Sequence, residues 1–125
     1  MKRLILGLGL VALAAVTTAC SGASAAPSGP VATPPADAVV IVAKDLAWQP
    51  SAVTVKAGEP VTIVMDNQED APHNIYVKDS AGADVFKGEI VSKQQITYQL
   101  EALTPGTYPF ICEVHPDMKG TITAE

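Results

Sequence analysis

From residue 38 onward, apolar side chains recur at every second position in short runs that are separated by turn-forming residues. A two-residue period places alternate side chains on one face, which is typical of β-strands with one buried side. No stretch carries the apolar repeat of an amphipathic helix, so the spacing of the runs predicts an all-β sandwich or barrel. The runs cover residues 39–43, 52–56, 61–67, 73–78, 95–100, 107–112 and 119–124.

Two of these predicted strands place notable side chains on an inward face. Ile63 and Met65 share one face of their strand, so Met65 is predicted to be a core residue and not a metal ligand. The strand at 107–112 ends in Cys112, on the same face as its large aromatic side chains. Pro109 cannot donate a ladder hydrogen bond, so we expect it at an edge or a bulge.

The segment 1–19 has the features of an export signal. Lys2 and Arg3 precede an apolar run that ends at Val16, and this run is shorter than the roughly 20 residues of a membrane-spanning helix. Cleavage is therefore expected, at one of two sites. The sequence up to Cys20 resembles the box at which bacterial lipoproteins are cut and lipidated, whereas Ala-Ser-Ala at 23–25 resembles an ordinary signal-peptidase site. We favour a lipid anchor at Cys20, and thus a location in the periplasm or on the outer face of the cell membrane.

The rest of the chain divides into a tether and one domain. Residues 20–37 consist almost entirely of Ala, Ser, Gly, Pro, Thr and Val, a composition that cannot form a packed core. Residues 38–125 have the length of a single small domain. Because the whole chain is 48% hydrophobic but only 5% aromatic, the core of this domain must consist mainly of aliphatic side chains.

The charge of the mature chain argues against nucleic acid as a partner. Removal of the signal takes away Lys2 and Arg3, which lowers the positive count from 8 to 6 against 13 acidic residues and gives a net charge of −7. No arginine then remains, so the bidentate phosphate contacts of nucleic-acid binders are missing. We expect an acidic monomer.

Few side chains of the mature sequence can bind a soft metal. His73 opens a predicted strand, and Cys112, His115 and Met118 follow in the pattern C-x2-H-x2-M. Because Cys20 is assigned to the lipid anchor, Cys112 has no disulfide partner and is either a small buried hydrophobe or a metal-bound thiolate. Two histidines, one thiolate and one weak thioether are the ligand set of electron-transfer copper, whereas zinc sites normally avoid thioethers. The pattern therefore favours one copper ion that alternates between Cu(I) and Cu(II).

The segments 72–74 and 112–118 are similar to those of the cupredoxins, the type 1 blue copper proteins, and the loop spacing is closest to that of amicyanin. Plastocyanin and pseudoazurin share the ligand set but have longer loops. The resemblance extends over residues 37–125 and implies an antiparallel Greek-key β-sandwich with the copper loops at one end. It also implies strong equatorial ligands, a long axial ligand and a side chain that pins the ligand loops through hydrogen bonds. These are His73, Cys112 and His115 as equatorial ligands, Met118 as the axial ligand and Asn74 as the pinning residue.

The same resemblance implies an exported protein that carries single electrons between redox partners. In the family, the second loop histidine reaches the surface through an apolar patch. Here that residue is His115, and Val114 before it stands where amicyanins have proline. Acidic residues near the two ligand loops predict an acidic rim that attracts a basic partner, such as a cytochrome or another oxidoreductase. These residues are Glu69, Asp70, Glu113 and Asp117.

The sequence indicates no open coordination position and no nucleophile beside a base, so we do not expect an enzyme. Two other functions stay open. The first is copper storage or delivery without an electron-carrier role, which easy loss of copper to a chelator would favour. The second is a metal-free secreted sandwich that serves as an interaction module, with Cys112 merely buried. A protein that stays colourless after copper addition would favour this second function.

Overall fold

A computed structural model describes residues 33–125. Within that range no helix is long and apolar enough to cross a membrane. The predicted export signal and residues 20–32 of the predicted tether lie outside the described residues, so their boundaries stay predictions. The described chain forms nine strands: β1 (Val39–Lys44), β2 (Ala47–Gln49), β3 (Ala52–Val55), β4 (Val61–Asn67), β5 (Tyr76–Lys78), β6 (Asp84–Lys87), β7 (Gln95–Leu100), β8 (Gly106–Ile111) and β9 (Lys119–Ala124).

The strands form two sheets, with the orders β2-β1-β4-β7 and β3-β9-β8-β5-β6. The predicted all-β sandwich is thus confirmed, but its pairing is mixed and not purely antiparallel. Strand β1 runs parallel to β4, and β3 runs parallel to β9. The reason is that β2 and β3 lie in different sheets. The chain leaves the first sheet after β2 and returns to it as β4, in the direction of β1.

Six of the seven strands predicted from the sequence agree with the structure to within one residue at each end. The exception begins at Tyr76 and not at His73, which forms an isolated bridge with Val91. Strands β2 and β6 were not foreseen. Strand β2 has three residues, and most side chains of β6 are exposed, so neither carries a visible apolar alternation.

The space between the sheets is filled mainly by aliphatic side chains, as the low aromatic content predicts. Met65 is fully buried in this core, 3.9 Å from the Tyr98 hydroxyl, which confirms its assignment as a core residue. Strand β8 pairs with β5 only at Phe110 and Ile111, so Pro109 has a partner strand on one side only. Its position therefore satisfies the expectation for a proline in a strand.

Candidate metal centre

Three of the predicted ligands meet at one end of the sandwich. His73 lies at the isolated bridge before β5, and Cys112 follows the last residue of β8. The Cys112 Sγ atom is 3.6 Å from Nδ1 of His73 and 3.8 Å from Nδ1 of His115. Cys112 is the free cysteine of the described residues. It is buried like His73, whereas His115 is partly exposed.

The spacing of these atoms fits a single bound metal ion. A thiolate bonds such an ion at about 2.3 Å and an imidazole nitrogen at about 2.0–2.1 Å, so angles of about 110–120° would separate the two ligand atoms by about 3.5–3.8 Å. The Sγ–Nδ1 distances of 3.6 and 3.8 Å agree with that separation. His73, Cys112 and His115 therefore form a possible ligand group for one metal ion.

The loop between β8 and β9 is closed by its own backbone. The Cys112 N–H donates to the Met118 carbonyl at 3.1 Å, and the Met118 N–H donates to the His115 carbonyl at 2.9 Å. These bonds fold the seven-residue segment back on itself. Met118 is buried, with 2% of its surface exposed. The loop thus brings the predicted axial residue to the end of the sandwich that holds the other three.

His73 is held in one orientation by a carboxylate. Its Nε2 atom lies 2.9 Å from Oε2 of Glu69, which also accepts weaker hydrogen bonds from the Leu46 N–H at 3.3 and 3.4 Å. A carboxylate accepts hydrogen bonds, so Nε2 carries the proton and Nδ1 presents its lone pair toward Cys112. Such a contact fixes both the tautomer and the ring plane of a metal-binding histidine.

Asn74 lies between the two ligand segments. Its side-chain oxygen accepts the Glu113 N–H at 2.9 Å, and its amide nitrogen donates to the Gly88 carbonyl at 3.0 Å. The side chain is fully buried. Asn74 therefore connects the segment around His73 to the segment that begins at Cys112.

Two contacts at this centre were missed by the sequence reasoning. Glu69 was considered only as a surface charge, although a carboxylate four residues before a candidate ligand is a possible signal. Trp48 was not considered at all. Its indole N–H donates to the Met118 carbonyl at 3.0 Å, and its ring centroid lies 6.1 Å from that of His73. The presence of a single tryptophan in so aliphatic a chain was the available clue.

The predicted acidic rim is partly neutralised by lysines. Asp70 pairs with Lys93 at 3.1 Å, and Glu113 pairs with Lys87 at 2.7 Å. The Glu113 contact is the main cause of a raised pKa of Lys87. Asp117 is exposed on the ligand loop. The surface around the centre therefore carries less net negative charge than a count of its acids suggests.

Comparison with known proteins identifies the family of this domain. Residues 9–124 match the family described as the cupredoxin-like domain. The chain is 38% identical to amicyanin from Paracoccus versutus over 92 residues, which are 73% of this chain and 67% of the relative. It is 32% identical to amicyanin-alpha from Methylorubrum extorquens over the full length of both chains. Plastocyanin from Scenedesmus fuscus is 38% identical over 64% of this chain and 88% of the relative.

Solved structures give the same result for the fold. The crystal structure of amicyanin from Paracoccus versutus aligns with a TM-score of 0.60 and 37% identity, and covers 73% of this chain and 84% of that one. A Cu(I) form of an amicyanin mutant aligns with a TM-score of 0.58 and 30% identity, over 71% of this chain and 83% of that one. The ligand group and these relatives agree with the predicted copper cofactor. The chain belongs to the cupredoxin family.

Proposed function

We propose that the chain holds one copper ion through Nδ1 of His73, Sγ of Cys112 and Nδ1 of His115, with the Met118 thioether as a weak axial ligand, and that it carries single electrons. The observation behind this proposal is the approach of two imidazole nitrogens to one buried thiol, at 3.6 and 3.8 Å. Thiolate and thioether favour Cu(I), whereas imidazole binds both oxidation states. The bound ion supplies the one-electron chemistry.

The protein contributes a rigid frame for that ion. Glu69 holds the His73 ring, and Asn74 joins the two ligand segments. The backbone bonds between Cys112 and Met118 close the ligand loop. Because these contacts join protein groups to one another, we expect the ligands to keep the same places before and after an electron arrives. A site that keeps its geometry requires little reorganisation energy for electron transfer.

His115 is the proposed point of electron exchange with partners. His73 and Cys112 are fully buried, whereas His115 is partly exposed. Val114 beside it is 42% exposed. An apolar surface around the one ligand that reaches solvent suits brief contact with a second redox protein.

For that partner we propose a basic cytochrome or oxidoreductase, attracted by the acids near the ligand loops. Attraction between exposed charges weakens as salt is added. We expect transfer to a basic partner to slow with salt and transfer to an acidic partner to quicken. Replacement of Lys93 by glutamine should free Asp70 and raise the rate with the basic partner. Equal salt responses for both partners would exclude steering by the rim.

We further propose that the domain is exported and anchored through lipidated Cys20, with residues 20–37 as the tether. The support is the charged and apolar order of the first nineteen residues and the composition of the tether. Mass spectrometry of the membrane fraction should find a lipid-modified peptide that starts at Cys20. In a Cys20→Ala variant the domain should appear in the soluble exported fraction. An unmodified N-terminus after residue 25 would favour ordinary secretion.

The experiment that tests the function is voltammetry of the copper-loaded domain, with its visible spectrum recorded beside it. We expect an intense sulfur-to-copper charge-transfer colour and fast, reversible one-electron waves. A Cys112→Ser variant should lack the colour. Slow, irreversible waves together with easy loss of copper to a chelator would favour storage or delivery. A folded wild-type protein that stays colourless would favour the other alternative, a metal-free interaction module.

A further inference from the structure

The backbone carbonyl of Met118 is a meeting point of two buried hydrogen bonds. It accepts the Cys112 N–H at 3.1 Å and the indole N–H of Trp48 at 3.0 Å. The first bond lies within the ligand loop. The second joins residues 70 positions apart in the chain. Because Trp48 belongs to β2 and Met118 directly precedes β9, this bond connects the two sheets.

The Trp48 side chain also touches the other ligand segments. Its ring meets the His73 ring edge-on, at 6.1 Å between centroids and an interplanar angle of 68°. It packs on Phe110, two residues before Cys112, at 5.8 Å and 53°. Only 4% of the Trp48 surface is exposed. These neighbours hold the indole in one orientation, so its N–H direction is fixed.

A phenylalanine ring at this position could fill most of the space but has no N–H to donate to the Met118 carbonyl. The indole is a donor only, and a buried N–H requires an acceptor. A methionine side chain has three rotatable bonds and is the most adaptable apolar side chain. The place of its sulfur therefore depends on how firmly its own backbone is held.

We propose that Trp48 is a positioning residue for Met118, which holds the thioether against the metal site through the bond to the Met118 carbonyl. This inference rests on the proposed copper centre. Trp48 itself does not bind the ion. Its function is to set the strength of the axial contact, and through it the electronic structure of the centre and its reduction potential.

The first experiment uses the metal-free domain. Amide hydrogen exchange is measured in the wild type and in a Trp48→Phe variant, which keeps a ring but lacks the N–H donor. The Cys112 amide shares its acceptor with the indole, so we expect its exchange to quicken by roughly five- to tenfold, the loss of about one hydrogen bond. A Tyr108→Phe variant is the matched control, since it removes a bond to the Thr104 carbonyl near the other end of β8. Equal exchange in the wild type and Trp48→Phe would overturn the inference.

The second experiment asks whether Trp48 acts through Met118. Trp48→Phe is made in the wild type and in a Met118→Leu background, and both pairs are loaded with copper. We expect Trp48→Phe to change the intensity ratio of the sulfur-to-copper bands and the reduction potential in the wild type only. In the Met118→Leu background it should change neither, because the thioether is already gone. The same shift in both backgrounds would overturn the role assigned to Trp48.

A ring-fluorinated tryptophan changes the Trp48 side chain less than phenylalanine does, which reduces the risk of misfolding. Because the chain has one tryptophan, a ring-fluorinated indole can replace it at that position alone. A fluorinated indole has a more acidic N–H and donates more strongly, so the band ratio should move opposite to its change in Trp48→Phe. A shift in the same direction would count against the inference.

A wild type without any charge-transfer colour would overturn the copper proposal and the role of Trp48 together. A coloured wild type with equal shifts in both backgrounds would overturn the role of Trp48 alone.

Discussion

Glu69 provides a direct test of how the protein holds its metal-binding histidine. Its Oε2 atom is 2.9 Å from the buried Nε2 of His73, on the opposite side of the ring from the nitrogen that faces Cys112. Two variants separate charge from hydrogen bonding. Glu69→Gln keeps the length of the side chain and an acceptor oxygen but removes the charge. Glu69→Ala removes both and leaves the His73 Nε2–H without this partner.

The expected magnitudes follow from these contacts. Loss of a hydrogen-bond partner from a metal-binding histidine typically costs 10–100-fold in metal affinity, so Glu69→Ala should bind copper about that much more weakly. The carboxylate and the metal would lie on opposite sides of one imidazole, about 7 Å apart, where a unit charge contributes roughly 2 kcal/mol at an effective dielectric constant of 20. The Glu69 side chain is 23% exposed, and solvent screening is expected to lower that figure to about 1 kcal/mol. About 1.4 kcal/mol corresponds to about 59 mV for one electron. Removal of the Glu69 charge should therefore raise the reduction potential by roughly 50 mV.

The assay combines a chelator competition for Cu(I) with voltammetry at one pH and ionic strength. Asp70→Asn is the matched control, because it removes the same charge from the next residue, whose side chain is 86% exposed and paired with Lys93. We expect a clearly smaller change of potential for Asp70→Asn than for Glu69→Gln. Equal changes in the two variants, or an unchanged affinity in Glu69→Ala, would refute the assignment of Glu69 as the residue that holds His73.

Three further predictions concern stability of the metal-free domain in urea. A Cβ at Gly120 would lie 2.1 Å from Phe110 Cζ, whereas Gly82 has only a positive φ of 85° and open space. Gly120→Ala should therefore cost about 3 kcal/mol and Gly82→Ala about 1, and the reverse order would contradict the packing. Asn74→Ala should cost about 2–5 kcal/mol by leaving the buried Gly88 carbonyl and the partly buried Glu113 N–H without this partner, and a cost below that range would contradict this reasoning. Burial raises the pKa of Tyr98 above about 10, the pKa of an unfolded tyrosine. The contribution of the neutral Tyr98 side chain to stability is therefore fully present below about pH 10. It is lost as pH rises further, because the unfolded state releases the proton first. Above pH 10 the wild type should lose at most about 1.4 kcal/mol per pH unit more than Tyr98→Phe, and equal slopes would contradict this reasoning.

The sequence was most informative where one face of a strand is buried. Strands β4, β7 and β9 were predicted with their observed bounds, because alternating apolar residues directly report a half-buried strand. The same logic placed Met65 in the core. It could not find β6, whose side chains are largely exposed, since pairing of that strand depends on backbone bonds to β5 that leave no mark on the apolar pattern.

The sequence indicated which candidate ligands lie together, but not which residues orient them. Cys112 and His115 are three residues apart, so one loop must bring them together, and the distinctive order of residue types included His73. The contacts that orient these ligands depend on chain crossings between sheets. Trp48 lies 70 residues from the carbonyl to which it donates, and no local pattern reports such a distance. Parallel pairing of β1 with β4 was missed for the same reason.

X-ray absorption at the copper edge of the loaded domain tests the central claim most directly, because it counts the atoms bonded to the ion. The account predicts one short sulfur neighbour at about 2.1–2.3 Å and two nitrogen neighbours at about 2.0 Å, with the short sulfur absent in Cys112→Ser. A copper ion surrounded only by nitrogen and oxygen in the wild type, with the Cys112 thiol still free to react, would contradict it.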